Sequence, residues 1–257
     1  MNAPATGPDM IDTLATGIHT AAPLYKEVKR LLTQGLAAGE WQPGEALPSE
    51  TRLAERFKVS IGTLRKAVDE LVAEQVLVRQ QGRGTFVATH GANRMLFNFF
   101  HIVRTDGARV LPDAQVVEFG RSKAEAGEAM RLGLAAGERV LRIRNLMRLE
   151  GKPVLVDDIV LAAARFPDLT ERVFREREGT IYGLYQTRYA INVVRARERL
   201  RVALLEAGAA RLLGLPAGHP VLEINRTALS YHDRPVELRR SLVNTAHHEY
   251  VSDLGKA

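Results

Sequence analysis

The run from Pro48 to Thr85 constrains this chain more than any other stretch. It begins at Pro48-Ser49-Glu50, passes through VSIGTLRKAVDEL and closes on RQQGRGTF. Ser49 and Ser60 stand where a hydroxyl can cap a helix, and Glu50 suits a first helical turn. Behind Ser49, Leu53, Ala54 and Phe57 make one apolar stripe; behind Ser60, Leu64, Ala67, Val68, Leu71 and Val72 make another, with Lys58-Val59 as the turn between them. Val76–Arg79 and Thr85–Ala88 then alternate as short strands joined by Gln81-Gly82-Arg83-Gly84. A further helix is expected upstream, where Leu24, Val28, Leu31, Leu32 and Leu36 share one face, and Trp41 reads as a core anchor. Helix, turn, helix and glycine-hinged hairpin together describe a winged helix-turn-helix, and double-stranded DNA is the first partner to consider.

In such a module the start of the second helix meets the major groove. Those positions are Ser60, Ile61, Gly62, Thr63, Arg65 and Lys66. Arg65 can bond a guanine or a phosphate, and Ser60 and Thr63 can bond phosphates. Ile61 either packs inward or meets a thymine methyl, the apolar mark of the major groove. Gln81, Gly82 and Arg83 form the wing tip, where glycines let the backbone approach a sugar-phosphate chain.

Bulk properties narrow the remainder. At 46% hydrophobic residues the 257-residue chain can build real cores. It has no cysteine, which excludes disulfides, zinc ribbons and thiol catalysis and suits a reducing cytoplasm. The net charge of +6 lies mostly outside the first module, since residues 23–90 carry only +2. The partner is therefore inferred from where a few Arg and Lys stand, not from global charge. Residues 1–22, rich in Ala, Thr, Gly and Pro without Lys or Arg, read as a disordered tail rather than a secretory signal. No stretch has the apolar length of a membrane span.

Residues 90–95 are expected to be a polar joint. Beyond it the chain repeats itself. EAGEAMRLGLAAGERVLRI begins at Glu125 and EAGAARLLGLPAGHPVLEI at Glu206; over 20 positions shifted by 81, 12 are identical. Each copy reads as helix, strand, turn and strand, so two copies can pair their hairpins into one antiparallel sheet with helices on one side. Asp157-Asp158 in the first hairpin answers Arg239-Arg240 in the second, and Asn145 answers Arg226. These are either opposed halves of a ligand cleft, or solvated faces or inter-strand ion pairs. Thr180 is placed to cap a helix that carries Tyr182, Tyr185 and Tyr189, and Arg195–Arg201 alternates as a strand with one polar face.

The order PLYKEVKRLL, LPSE, LAERFKVS, TLRKAVDEL and QQGRGTFV closely resembles the DNA-binding domain of GntR-type bacterial transcription regulators. The resemblance covers residues 23–88 and implies DNA contacts at Thr51, at the helix start and at the wing tip. Many members carry Arg where this chain has Thr51 and Ile61, which implies a different operator. The second half, through the GTIY segment, RLEGKPV, LLGLPAGHPVLEI and RPVELRRS, resembles the UTRA effector-binding domain of the HutC branch, whose fold is similar to chorismate lyase. The implied fold class is α+β: a winged helix-turn-helix over residues 23–89, a linker over 90–95 and a UTRA-type, chorismate lyase-like antiparallel-sheet domain over 96–254.

The resemblance also implies an effector site. Members that sense phosphosugars hold the phosphate at positions matching Asn98, Asn145, Met147, Thr180 and Tyr182, with carboxylates matching Asp157 and Glu237. Asn145 and Met147 stand where those members have an Arg pair, and a phosphate without cations is costly to bury. The expected effector is thus a small carboxylated or amino-containing metabolite. Asp157 and Glu237 would face an amine or hydroxyl, and Arg226, Arg239 or His247 a carboxylate. The expectation is a ligand-responsive homodimeric repressor, cytoplasmic, without cofactor or metal. The alternative is an enzyme acting on a small carboxylated metabolite through the lyase-like domain, but no nucleophile–base motif, metal-ligand spacing or phosphate loop is present.

Overall fold

The computed structural model describes residues 23–252. The expected tail over residues 1–22, and residues 253–257, lie outside the described residues.

The first module forms from local signals. Helix α1 (Leu24–Ala37) buries Val28, Leu32 and Leu36. Helix α2 (Glu50–Phe57) starts where the Ser49 hydroxyl accepts the Arg52 amide, and ends at Lys58 in the left-handed conformation. Helix α3 (Ile61–Ala73) starts where the Ser60 hydroxyl accepts the Thr63 amide, and buries Leu64, Ala67, Val68 and Leu71. Strands β1 (Leu77–Gln80) and β2 (Gly84–Val87) form the wing, shifted by one residue from the expected bounds. Residues 44–47 run beside β2: Val87 donates to Glu45 and Leu47 donates to Thr85. Trp41 is buried in this core as expected. It lies so close to α1 that a Cβ on Gly35 would sit 2.7 Å from its ring.

A short helix α4 (Ala92–Arg94) runs into a π-helical turn (Met95–Phe99) and then β3 (Ile102–Arg104), which pairs with β10 (His248–Tyr250). The main sheet has six antiparallel strands: β4 (Asp113–Lys123), β5 (Arg139–Leu149), β6 (Lys152–Ala162), β7 (Arg195–Leu204), β8 (Pro220–Leu229) and β9 (Pro235–Val243). Their order is β4-β5-β6-β9-β8-β7. The repeat is explicit in that order, because the seam between β6 and β9 is the approximate twofold. Each copy gains a leading strand that the repeat did not announce, β4 in the first and β7 in the second. Helices α5 (Ala126–Leu132) and α8 (Ala207–Leu213) occupy matching places, and each ends at a left-handed glycine, Gly133 or Gly214, 81 positions apart.

Helices cover both faces of the sheet, not one. On the outer face Leu132 of α5 packs with Leu238 of β9, and Leu213 of α8 packs with Val156 of β6, so each helix crosses onto the other copy's strand. The inner face is covered by the π-helical turn, α6 (Glu171–Arg175) and α7 (Ile181–Tyr189). Large side chains fill that layer, among them Phe166, Phe174 and Tyr185, each fully buried. Burial on both sides means that the polar residues these strands carry, such as Asn145, Asp157, Glu223 and Glu237, are themselves buried.

Charged residues on the outer face close into pairs. Glu223, 1% exposed, accepts Arg201, Asn225 and Arg240. Burial pushes its carboxyl up, but these three donors outweigh it and hold the pKa at about 2. A depressed carboxyl stabilises the fold above its unfolded value, and that contribution is lost as pH falls through the folded value. Glu223→Gln should therefore lower the melting temperature at pH 7 and cost progressively less between pH 4.5 and pH 2, as read by calorimetry. Gly35→Val should cost about 1–3 kcal/mol through overpacking against Trp41, visible as a lower urea midpoint in the fluorescence of this single tryptophan.

Candidate DNA interface and effector site

The first site is the leading edge of the first module. Thr51, Ser60, Ile61, Gly62, Arg65, Lys66, Gln81, Gly82 and Arg83 are all exposed, and Thr63 is half-buried. Ile61 keeps 43% of its surface in solvent, so it points outward and the inward-packing alternative is not realised. The Ser60 hydroxyl is shared between the Thr63 amide at 3.1 Å and the Thr63 hydroxyl at 2.9 Å. Arg65 donates twice to one oxygen of Glu50, at 2.9 and 2.7 Å. Arg79 reaches Glu50 and Asp69, which ties the wing to α2 and α3. Lys66 lies 4.2 Å over the Tyr25 ring, turned toward α1, and Arg83 lies over Phe86 of the wing. The structure thus brings helix start and wing together as one surface, with Arg65 already oriented by an acid.

The second site is the inner face of the sheet at its seam. Alternation on β5, β6, β8 and β9 points Asn145, Asp157, Arg226, Glu237, Arg239 and Ser241 to this one face, and all are buried. Arg239 donates to Glu237 through Nε at 2.9 Å and Nη2 at 3.0 Å, and to Asp157 through Nη1 at 3.1 Å. Tyr182 and Tyr185 donate to Glu237 at 3.1 and 2.7 Å, and Ser241 donates to Asp157. Beside this cluster Arg226 donates to Glu198 at 2.6 Å and to the Phe99 carbonyl, while Tyr250 donates to Glu198. Of the opposed charges seen in the sequence, Asp157 and Arg239 meet in this buried set, whereas Asp158 and Arg240 turn to the outer face and pair with Arg144 and Glu223. The paired residues on the seam strands are Asp158 with Arg240 and Asp157 with Ser241.

Burial and pairing work against each other here. Burial pushes the Asp157 carboxyl up, against the pull of Arg239 and Ser241. It opposes the charge on Arg239 too, but Glu237 and Asp157 outweigh it. For Glu198 the cost of burial is overcome by Arg226 and Tyr250, which hold the carboxyl down. Burial and the Glu237 charge push Tyr182 up to about 12, so its hydroxyl stays a donor.

The remaining cavity is only ≈ 20 Å³, room for about one water. Met95, Phe99, Phe100 and His101 wall it on one side, and Asp157, Arg226, Arg239 and Ser241 on the other. Asn145 has neither amide atom paired, the strongest mark of an incomplete polar site in this layer. A wider cleft of ≈ 860 Å³ lies mainly over the outer face, where Arg142, Arg144 and Arg240 are already paired with acids.

Four expected effector residues stand away from this cavity. His247 is exposed in the loop before β10 and does not line the cavity, because the β3–β10 pairing carries it outward; His101 lines it instead. The Thr180 hydroxyl caps α7 and donates to the His90 carbonyl, so it is engaged with the joint between the modules. Met147 is packed in the core and Asn98 is half-buried in the π-helical turn; neither lines the cavity. Reading the sequence missed Glu198, Ser241 and Phe99. Glu198 left a trace, as the one acid in the Arg195–Arg201 alternation.

Residues 24–87 match the model of bacterial regulatory proteins of the gntR family, and residues 108–249 match the UTRA domain. The chain belongs to the GntR family, with a UTRA domain behind its DNA-binding module. The histidine utilization repressor of Pseudomonas putida is 32% identical over 210 residues, covering 81% of this chain and 83% of that protein. The mannosyl-D-glycerate transport/metabolism system repressor of Escherichia coli is 26% identical over 230 residues, covering 89% and 95%. The solved ligand-binding domain of a GntR-family regulator from Bordetella bronchiseptica is 31% identical, with a TM-score of 0.59, over 62% of this chain and 99% of that one. This GntR member is a ligand-responsive transcriptional repressor and not an enzyme. No described helix is long and apolar enough to cross a membrane, and no described acids, histidines or cysteines cluster as a metal site.

Arg239→Met should cost about 3–5 kcal/mol in urea unfolding, because it leaves two buried carboxylates without their cation. Adding Glu237→Gln should recover part of that loss, which a double-mutant cycle would measure.

Proposed function

We propose that the chain holds its operator through Thr51, the start of α3 from Ser60 to Arg65, and the wing tip from Gln81 to Arg83. Lys66 serves mainly to brace α1 through Tyr25. Ile61 supports a base-reading role, because an exposed aliphatic side chain at a recognition-helix start has a thymine methyl as its natural partner. The working form is a cytoplasmic homodimer reading two half-sites of a palindrome.

The effector, in this reading, is a small metabolite that binds at the seam cluster. The carrying observation is a fully buried set of ion pairs around a cavity too small for a metabolite. A ligand must enter by exchange, its carboxylate taking Arg226 or Arg239 and an amine or hydroxyl taking Asp157. Such an exchange keeps buried charges paired, which a neutral ligand cannot do. It also has to move Phe99 and Phe100, which lead directly back to the DNA-binding module. A phosphosugar is disfavoured, since Asn145 and Met147 offer no cation.

Asp157→Ala should abolish release from a duplex of the protein's own promoter by carboxylated metabolites found in a thermal-shift screen, while leaving that duplex bound. A tight phosphosugar complex would refute the carboxylate reading. On the DNA side, Arg83→Ala should reduce the slope of log K against log salt by about 0.9. Ile61→Arg should change base preference in a selection from random duplexes, and unchanged preference would rule out the methyl contact.

A further inference from the structure

The joint between the modules is not a solvated linker. His90 is buried, with its ring 5.7 Å from Phe99 and edge-on to Tyr182 at 5.8 Å. Burial, then the nearby Arg94 charge, pushes its pKa down to about 3, so it stays neutral near pH 7. The backbone passes so close to α7 that a Cβ on Gly183 would lie 3.2 Å from the His90 carbonyl oxygen.

One side chain holds this passage. Gln186 is 5% exposed. Its carbonyl oxygen accepts the His90 amide at 2.9 Å, and its amide nitrogen donates to the Ala88 carbonyl at 3.0 Å and to Asn192. Asn192 in turn donates to the Tyr231 hydroxyl at 3.3 Å. Tyr231 belongs to the effector domain by sequence, yet its ring packs in the core of the DNA-binding module with Val28, Leu32 and Trp41. Gln186 therefore bonds both the linker and, through Asn192, the residue that docks one module on the other.

The same helix ends on the effector cluster. Tyr182 and Tyr185 precede Gln186 by four residues and by one, and both hydroxyls terminate on Glu237. Glu237 is also held by Arg239, which lines the cavity. A change in the Glu237–Arg239 pair alters the hydrogen bonds that seat α7. A nine-residue helix moves as a unit, and hydrogen bonds weaken steeply with a small loss of distance or angle.

We propose that Gln186 is the positioning residue that fixes the DNA-binding module relative to the effector domain, and that reseating α7 at Glu237 releases it. The transmission step rests on the seam cluster being the effector site; the fixing step does not, so the two can fail separately. Either ligand or operator can shift the balance only by favouring one seating, and the coupling is reciprocal.

The absence of cysteine permits a clean test on the full chain. Cysteines are placed at Glu55 and Met130, both exposed, spin-labelled, and the labelled chain is diluted into unlabelled protein so that distances are measured within one protomer. The unsubstituted joint should give one narrow distance distribution, and its His90 amide should exchange hydrogen more slowly than the amides at the wing tip. Gln186→Met keeps the bulk and removes all three bonds. It should broaden the distribution, speed His90 exchange at least tenfold and weaken binding to the promoter duplex about tenfold (~1.4 kcal/mol). Gln186→Glu keeps the acceptor for His90 and loses the donors, so it should fall between. Tyr185→Phe, which leaves Gln186 intact but removes one bond to Glu237, should shift the distribution in the same direction. Wild-type distances and promoter affinity in both Gln186 variants overturn the proposal. Fast His90 exchange in the unsubstituted protein overturns it without any variant. Altered distances in the Gln186 variants with none in Tyr185→Phe uphold the fixing step and overturn transmission through Glu237.

Discussion

Two carboxylates at the seam of the main sheet share one guanidinium, and the effector domain is organised around that fact. Asp157 comes from β6, and Glu237 and Arg239 from β9, so the cluster sits where the two copies of the repeat meet. None of the three could be buried alone, because an unpaired charge in this layer is costly. Together with Tyr182, Tyr185 and Ser241 they satisfy one another, and the twofold seam is joined by polar bonds where a purely apolar layer would have sufficed. A network of this kind adds little net stability over apolar packing, but it can be rebuilt around a ligand of matching charge. An apolar seam could not respond in that way.

The cluster is also connected. Its wall on one side is the π-helical turn that continues from the joint, and its roof is α7, whose Gln186 and Thr180 grip that same joint. Phe99, Tyr182 and His90 pack ring against ring between cavity and linker. The distance from the seam cluster to module docking is thus one helix and one aromatic triad. Tyr231 extends the contact by placing an effector-domain ring inside the other module's core.

The DNA-binding module was legible because its determinants are local. Ser49, Ser60, Lys58 and the wing glycines act within a few residues of themselves, and cap and turn chemistry can be read directly. The repeat was legible because two copies could be compared, down to the paired C-cap glycines. Strand β4 has no counterpart in the sequence reading because its sequence diverges and its faces are only partly covered; β7 is legible from the Arg195–Arg201 alternation, but its polar face reads as solvated, which hides Glu198 on the buried side. The joint escaped for a different reason. Thr89-His90-Gly91 is polar and glycine-bearing, and nothing near it in sequence says that it is buried; its burial comes from Gln186 and Tyr182, some 90 residues away. His247 is named from sequence and His101 is not, because the β3–β10 pairing that decides which histidine faces the cavity is not visible in the sequence.

The weak charge of the leading edge bears on how such a repressor can be switched. Residues 23–90 carry only +2, and Arg65 and Arg79 are both engaged by acids of their own module. A single module with so few uncommitted cations has limited electrostatic attraction for a duplex. In the homodimer proposed above, tight binding depends on two modules engaging together, with the second contact made intramolecular by the first. That gain is lost when geometry forbids simultaneous engagement, and no contact with DNA has to be broken directly. A switch that only loosens the grip of Gln186 on Ala88 and His90 would suffice, because it acts on the relative placement of the modules. On the proposed dimer and joint, the sparse front and the buried joint work together: with little electrostatic attraction per module, control of orientation would control occupancy.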